Sequence, residues 1–240
     1  MLISPRLSMS RLLRNCLNDF LSVFGLRLSR VQHPESILDP AVRSVALGHS
    51  TKEHNSRENM DAIYADPNLM THYFTKERLA FYQQVCERVI RLKIQPANVL
   101  DVGCGSGHLL AKLKEAIPEA RLEGVDFSPQ SISVARQLNP SLSFTVMSIF
   151  ELDKLGREFD LVLCTEVLEH LEDADMAMEQ LQAVCRPGGT LVVTVPQGRK
   201  DTFAGHFNFW TEESFRREFR EFRPQIEEFE TYLFIVMRRS

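Results

Sequence analysis

The sequence predicts an α/β fold: a doubly wound, mostly parallel sheet with helices on both faces, an antiparallel last strand and a helical N-terminal extension. Two observations carry that prediction. From residue 98 onward, short apolar runs alternate with amphipathic stretches, and that order demands a parallel sheet with crossover helices. Within it, Val99-Leu-Asp-Val-Gly-Cys-Gly-Ser-Gly107 reads as a buried strand running into a glycine turn, followed by an apolar-periodic helix start at 109–113. A length of 240 residues suits one such domain with an extension.

Taken in order, the chain divides into an extension at 1–60 and a main domain at 61–240. Residues 1–33 hold five arginines, no lysine and a single acid, Asp19. Leu13, Leu17, Phe20, Leu21 and Phe24 recur at helical spacing, and Gly25 suits a helix end. Three readings of this helix stand side by side: packing on the domain or across a dimer, a peripheral membrane contact, and an organelle transit segment. Residues 33–60 are polar and read as a linker or loosely ordered arm. Thr75 is placed to cap a long helix to about residue 92. Strands are then expected at 98–102, 121–126, 142–147, 159–164 and 189–195, with helices at 107–117, 129–138 and 173–186. Helix 212–222, with Thr211 as N-cap and Ser214 three residues on, precedes a hairpin within 226–237.

Composition sets bounds. Hydrophobic content of 44% and charged content of 25% are ordinary for a globular chain. A net charge of −4 and a pI near 6.0 advertise no nucleic-acid surface. Cys16, Cys86, Cys104, Cys164 and Cys185 are scattered without a Cys-x-x-Cys pair, which fits a reducing, cytoplasmic setting better than a disulfide framework. No stretch reaches the roughly 18 uninterrupted apolar residues that a membrane span needs.

The glycine turn carries the first chemical statement. Glycines there admit positive φ and let a ligand approach the main chain, and the helix N-terminus behind them favours negative charge. A nucleotide-like ligand follows. The spacing is Gly-x-Gly-x-Gly, because His108 stands where the dinucleotide fingerprint wants glycine. Leu122-Glu-Gly-Val-Asp126 reads as a second strand ending in a carboxylate, placed to accept hydrogen bonds from ribose hydroxyls.

Four segments occur in order: the glycine turn, Gly124-Val-Asp-Phe-Ser128, Phe159-Asp-Leu-Val-Leu-Cys-Thr-Glu-Val-Leu-Glu-His-Leu171, and Arg186-Pro-Gly-Gly-Thr-Leu-Val-Val-Thr-Val-Pro196. Together they resemble the class I S-adenosylmethionine-dependent methyltransferases, over roughly residues 75–240. The resemblance implies their Rossmann-like fold and S-adenosyl-L-methionine as cofactor. It implies that the Gly103, Gly105 and Gly107 backbone, with Cys104, cradles the methionine and ribose. Asp101 reaches the amino-acid end, Asp126 takes the ribose hydroxyls, and Phe127 packs beside the adenine. Ser148 stands where the family often has an acid that reads the adenine amino group, so altered adenine recognition is expected there. Ile149 and Thr165 complete the implied cofactor site.

Methyl transfer from a sulfonium is an in-line displacement on an activated carbon, so alignment in a dry site does most of the work. A base is needed only where the acceptor loses a proton. His170, with Glu169 beside it, is the candidate catalytic pair, since imidazole titrates near neutrality. The expectation is O-methylation of a small-molecule acceptor without a metal, by a monomer or homodimer. One alternative groups Glu166, Glu169, His170 and His206 as ligands for Mg²⁺, Mn²⁺ or Zn²⁺. That set resembles the metal site of small-RNA 2′-O-methyltransferases and of ubiquinone-pathway O-methyltransferases. The other alternative is a non-catalytic cofactor-binding regulator. Segment 198–208, with Phe203, Phe207 and the adjoining Phe209 and Trp210, reads as a lid or as a staple for the following helix, and Arg216, Arg217, Arg220 and Arg223 as a solvated basic face.

Overall fold

The computed structural model describes residues 54–203 and 205–240. The amphipathic run at 13–24 and its flanking arginines lie outside the described residues. Helices α1 (Arg57–Ala65) and α2 (Pro67–Met70), a 3₁₀ turn (Thr71–Phe74) and α3 (Lys76–Arg91) lead into the sheet. There follow β1 (Asn98–Val102), α4 (His108–Ala116), β2 (Arg121–Asp126), α5 (Pro129–Leu138), β3 (Ser143–Val146) and a 3₁₀ segment (Ile149–Leu155). Next come β4 (Phe159–Thr165), a 3₁₀ turn (Leu168–His170), α6 (Ala174–Val184), β5 (Cys185–Pro196), α7 (Glu212–Glu218), β6 (Gln225–Phe229) and β7 (Tyr232–Arg238).

The strands form one seven-stranded sheet in the order β3-β2-β1-β4-β5-β7-β6. Neighbours from β3 to β5 are parallel, and β7 runs antiparallel to both β5 and β6. Chain direction across the sheet reverses between β1 and β4, and such a switch point opens a crevice at the C-terminal strand ends. Period-two alternation divides the core between the two faces. Leu161, Leu163 and Val192 pack with Phe81, Val85, Leu110 and Ile132 on the α3–α4–α5 side. Val162, Cys164, Leu191 and Val193 pack with Met178, Leu181, Trp210 and Phe215 on the α6–α7 side. The four described cysteines are buried and free.

Caps fall where the residue types place them. The Thr75 side chain accepts from Arg78 N–H, and Thr211 and Ser214 form a reciprocal capping box. Two expectations need correction. Residues 57–60 do not belong to a loose linker: Ser56 caps α1, which continues through to Ala65. The helix foreseen at 212–222 ends at Glu218 and gives way to a 3₁₀ turn (Arg220–Phe222), beyond which Arg223 turns left-handed at φ +50°.

Candidate active site

A cavity of about 370 Å³ opens at the switch point. Asp101, Gly103, Cys104, Gly105, Asp126, Phe127, Ser148, Ile149 and Thr165 all line it. Gly107 does not. It starts α4 at φ +80°, and a Cβ there would meet the Phe144 ring at 2.8 Å, so packing rather than ligand approach demands that glycine. At Gly105, by contrast, φ is +51° and a Cβ would sit 2.6 Å from the Tyr64 hydroxyl, which covers the turn from α1. Asp126 holds the turn in place: Gly105 N–H donates to Oδ2 at 3.0 Å and Ser128 N–H to Oδ1 at 2.9 Å.

Asp101, at the end of β1, is buried, and its Oδ1 has no hydrogen-bond partner among the described residues. Burial, and secondarily the Asp126 charge, push its carboxyl up to about 8. An orphaned buried carboxyl at the edge of a cavity fits a cationic ligand group. The Ser148 hydroxyl caps the following 3₁₀ segment, accepting from Phe150 N–H at 3.3 Å. Sequence reasoning missed Tyr64 and Tyr73, stacked at 5.1 Å over this cavity, and Arg78 with Tyr82 on α3. The aromatic content of 62–74 was visible, but nothing local said which way those rings would face.

A second cavity, of about 960 Å³, adjoins the first and shares Asn55, Met60, Tyr73, Arg78, Glu166 and His170 with it. Glu166 turns left-handed just after β4 (φ +56°), a conformation costing on the order of 1 kcal/mol. Its Oε1 accepts from Thr194 Oγ1 at 3.1 Å, and Arg78 stands 3.8 Å from Oε2. Glu169 and His170 lie on the following 3₁₀ turn. Asn208 latches that turn, donating to the carbonyls of Leu168 and Leu171 at 3.1 and 2.7 Å. The Glu169 carbonyl accepts from the Phe207 and Asn208 amides at 2.8 and 3.2 Å.

Three side chains meet there: ligand atoms of Glu169, His170 and His206 lie within 4.8 Å of one another. Glu166, engaged by Thr194 and Arg78, is outside this group. Neither Glu169 carboxylate oxygen has a hydrogen-bond partner among the described residues, and burial pushes that carboxyl well above the usual range. Burial, then neighbouring His206, press the His170 imidazole down to about 3, so the ring is neutral.

Hydrogen bonds fix the tautomer of His170. Asn55 Nδ2 donates to the Gly205 carbonyl at 2.7 Å, which turns Asn55 Oδ1 towards His170 Nδ1 at 2.8 Å. Nδ1 therefore carries the proton and Nε2 offers a lone pair. His206 Nδ1 lies 2.6 Å from Asp201 Oδ2, with both side chains buried. Asn55 and Asp201 were not legible as site residues, because neither belongs to a motif.

This fold, with its cavities at the switch point, defines a protein of the doubly wound α/β class. The chain belongs to the methyltransferase-domain family, whose model matches residues 74–223. A ubiquinone biosynthesis O-methyltransferase of Coxiella burnetii (strain Dugway 5J108-111) is 32% identical over 126 residues, 50% of either chain. The chain spans about half the length of such curated relatives. The N-methyltransferase NodS of Bradyrhizobium japonicum WM9, solved with S-adenosyl-L-homocysteine, shares the fold. Its TM-score is 0.63 at 21% identity, covering 77% of this chain and 98% of that one. Magnesium protoporphyrin IX methyltransferase (ChlM) of Synechocystis PCC 6803, solved with bound cofactor, superposes with a TM-score of 0.56 at 18% identity, covering 88% and 100%.

Proposed function

We propose that the protein transfers the methyl group of S-adenosylmethionine to an oxygen of a small-molecule acceptor lodged in the larger cavity. The observation that carries this reading is the meeting of Glu169, His170 and His206 beside the wall the two cavities share. Acid–base groups of this kind serve an acceptor that sheds a proton on attack. The relatives named for O-methylation support oxygen as the acceptor atom. In this reading Asp101 faces the cofactor ammonium, the backbone at Gly103, Cys104 and Gly105 lies along the amino-acid and ribose portions, and Asp126 takes the ribose hydroxyls. Phe127, Ser148 and Ile149 flank the adenine, and Thr165 closes the floor.

The bound sulfonium supplies an already activated methyl carbon; the chain supplies alignment and proton handling. His170, neutral and with Nδ1–H held by Asn55, takes the acceptor proton at Nε2. Glu169 Oε1 lies 4.0 Å from that Nε2 and lines the same larger cavity. The unpartnered Glu169 carboxylate favours a second reading, in which Glu169, His170 and His206 hold a divalent cation that acidifies the acceptor hydroxyl. Imidazoles whose Nδ1 is engaged by an amide or a carboxylate are held as metal ligands commonly are.

A screen of hydroxylated aromatic, sugar and lipid acceptors with labelled cofactor gives the assay. His170→Ala is expected to lower turnover by roughly 10²–10⁴-fold while S-adenosylhomocysteine affinity stays within about twofold. Unchanged turnover overturns both readings. Metal analysis separates them: activity lost to EDTA and restored by a divalent ion favours the cation, and chelator-resistant activity the metal-free base.

A further inference from the structure

One side-chain amide joins the start of α1 to the acid–base cluster. Asn55 directly precedes Ser56, the N-cap of α1, and its place is braced from both sides. Ser56 Oγ accepts from Asn59 N–H at 3.1 Å, and Asn59 Nδ2 donates to the His54 carbonyl at 2.9 Å. From that footing Asn55 Nδ2 donates to the Gly205 carbonyl at 2.7 Å and Oδ1 accepts from His170 Nδ1 at 2.8 Å. Those two partners stand 150 and 115 residues further along the chain, and all three residues line the larger cavity. An amide supplies donor and acceptor from one planar, uncharged group, which neither a carboxylate nor a hydrocarbon side chain does. Beside it the His54 ring meets Phe203 at 6.0 Å between centroids, and Phe203 lies 4.8 Å from the His206 ring. Tyr64 is the one buried residue of α1, so polar contacts, not apolar burial, hold the opposite end of that helix in place. Elements held in this way open locally at low cost.

We propose that Asn55 is a positioning residue that couples closure of α1 against the larger cavity to the readiness of His170. With the joint made, Nδ1 holds the ring proton and Nε2 presents its lone pair to the acceptor. With the joint broken, the ring is free to carry that proton on Nε2, where it neither accepts a proton nor ligates a cation. The inference rests on the proposed reading of His170 and holds for both versions of it, because a base and a metal ligand alike need the Nε2 lone pair. Closing the wall and setting the imidazole become one motion, so the group is ready only when water is shut out.

The test reads both ends of the joint in the full chain at pH 7, with EDTA present so that no cation fixes the ring. Nitrogen-15 spectra of the imidazoles, with the His170 signals identified by their loss in His170→Ala, should show Nε2 as the unprotonated nitrogen. Asn55→Ala should move His170 to the opposite tautomer or to an average of the two. A coupling free energy is reciprocal, so His170→Ala should in turn loosen the start of α1. Hydrogen exchange at Asn59 and Met60, whose amides donate to the Ser56 hydroxyl and carbonyl, should speed up by roughly 2–10-fold. A protonated Nε2 in the unaltered protein, or a tautomer that Asn55→Ala leaves unchanged, overturns the proposal. So does unchanged exchange at α1 in His170→Ala, and that arm decides alone if Asn55→Ala does not fold. Neither readout uses turnover, so an acceptor screen without a hit counts against the proposed reaction and not against this coupling.

Discussion

Asp101, next to last in β1, and Asp126, last in β2, sit on neighbouring strands, yet their surroundings differ. Asp126 accepts from two backbone amides and organises the glycine turn, whereas Asp101 Oδ1 meets no donor among the described residues. The carboxyl of Asp101 titrates near 8 in the folded chain and near 4 when unfolded, so between those values the folded state binds more protons. Its contribution to stability is therefore full below about pH 4, falls as pH rises and levels off near pH 8. A ligand carrying an ammonium group favours the ionised carboxylate and reverses that preference. Affinity for S-adenosylhomocysteine should accordingly rise between pH 6 and 8, by at most about tenfold per unit, with net proton release. Titration calorimetry in buffers of different ionisation enthalpy measures both quantities. Asp101→Asn should flatten the slope; a pH-independent affinity in the unaltered protein would count against an ammonium partner for Asp101.

Among the elements, β1, the glycine turn and α4 were legible because their signals are local: a period-two apolar run, turn glycines and a period of 3.6 within twenty residues. The capping box of α7 was legible for the same reason. The wall built by α1 was not. Ser56 announces a helix start, but the placement of Tyr64 over Gly105 is tertiary information, with forty residues between them. The segment after β5 shows how one residue couples two elements. Asn208 bonds both ends of the 3₁₀ turn that carries Glu169 and His170, and the backbone at 207–208 bonds its middle. Asn208→Ala removes two buried donors and leaves two carbonyls short of a partner, a loss of about 2–3 kcal/mol in stability. Because the turn carries the acid–base groups, turnover should fall more than cofactor affinity does. Thermal melts, S-adenosylhomocysteine titration and steady-state rates on this one variant check the pattern. Equal losses in affinity and rate would show the latch to be structural only.

At the scale of the molecule, the switch point gathers the first cavity at the C-terminal strand ends, and the larger one reaches Thr231 and Tyr232 at the β6–β7 turn. No helix among the described residues is long and apolar enough to cross a membrane. The order of strands, with β7 inserted antiparallel between β5 and β6, leaves the C-terminal ends of β1, β2 and β4 free for ligand, and the overlying wall comes from α1, α2 and α3. Ligand binding should therefore stabilise the whole chain but tighten only one part of it. At a hundredfold excess over its Kd, S-adenosylhomocysteine should add about 2.7 kcal/mol, which for a chain of this size raises Tm by roughly 5–10 °C. Hydrogen exchange should then slow at the strand ends of β1, β2 and β4, at the glycine turn and in α1 through the first turn of α3. Helix α7 contributes no residue to either cavity, so under native conditions its local exchange should change little. Protection centred on α7 would place the ligand elsewhere, and an unchanged Tm at millimolar ligand would remove the basis for both cavities as a methyl-transfer site.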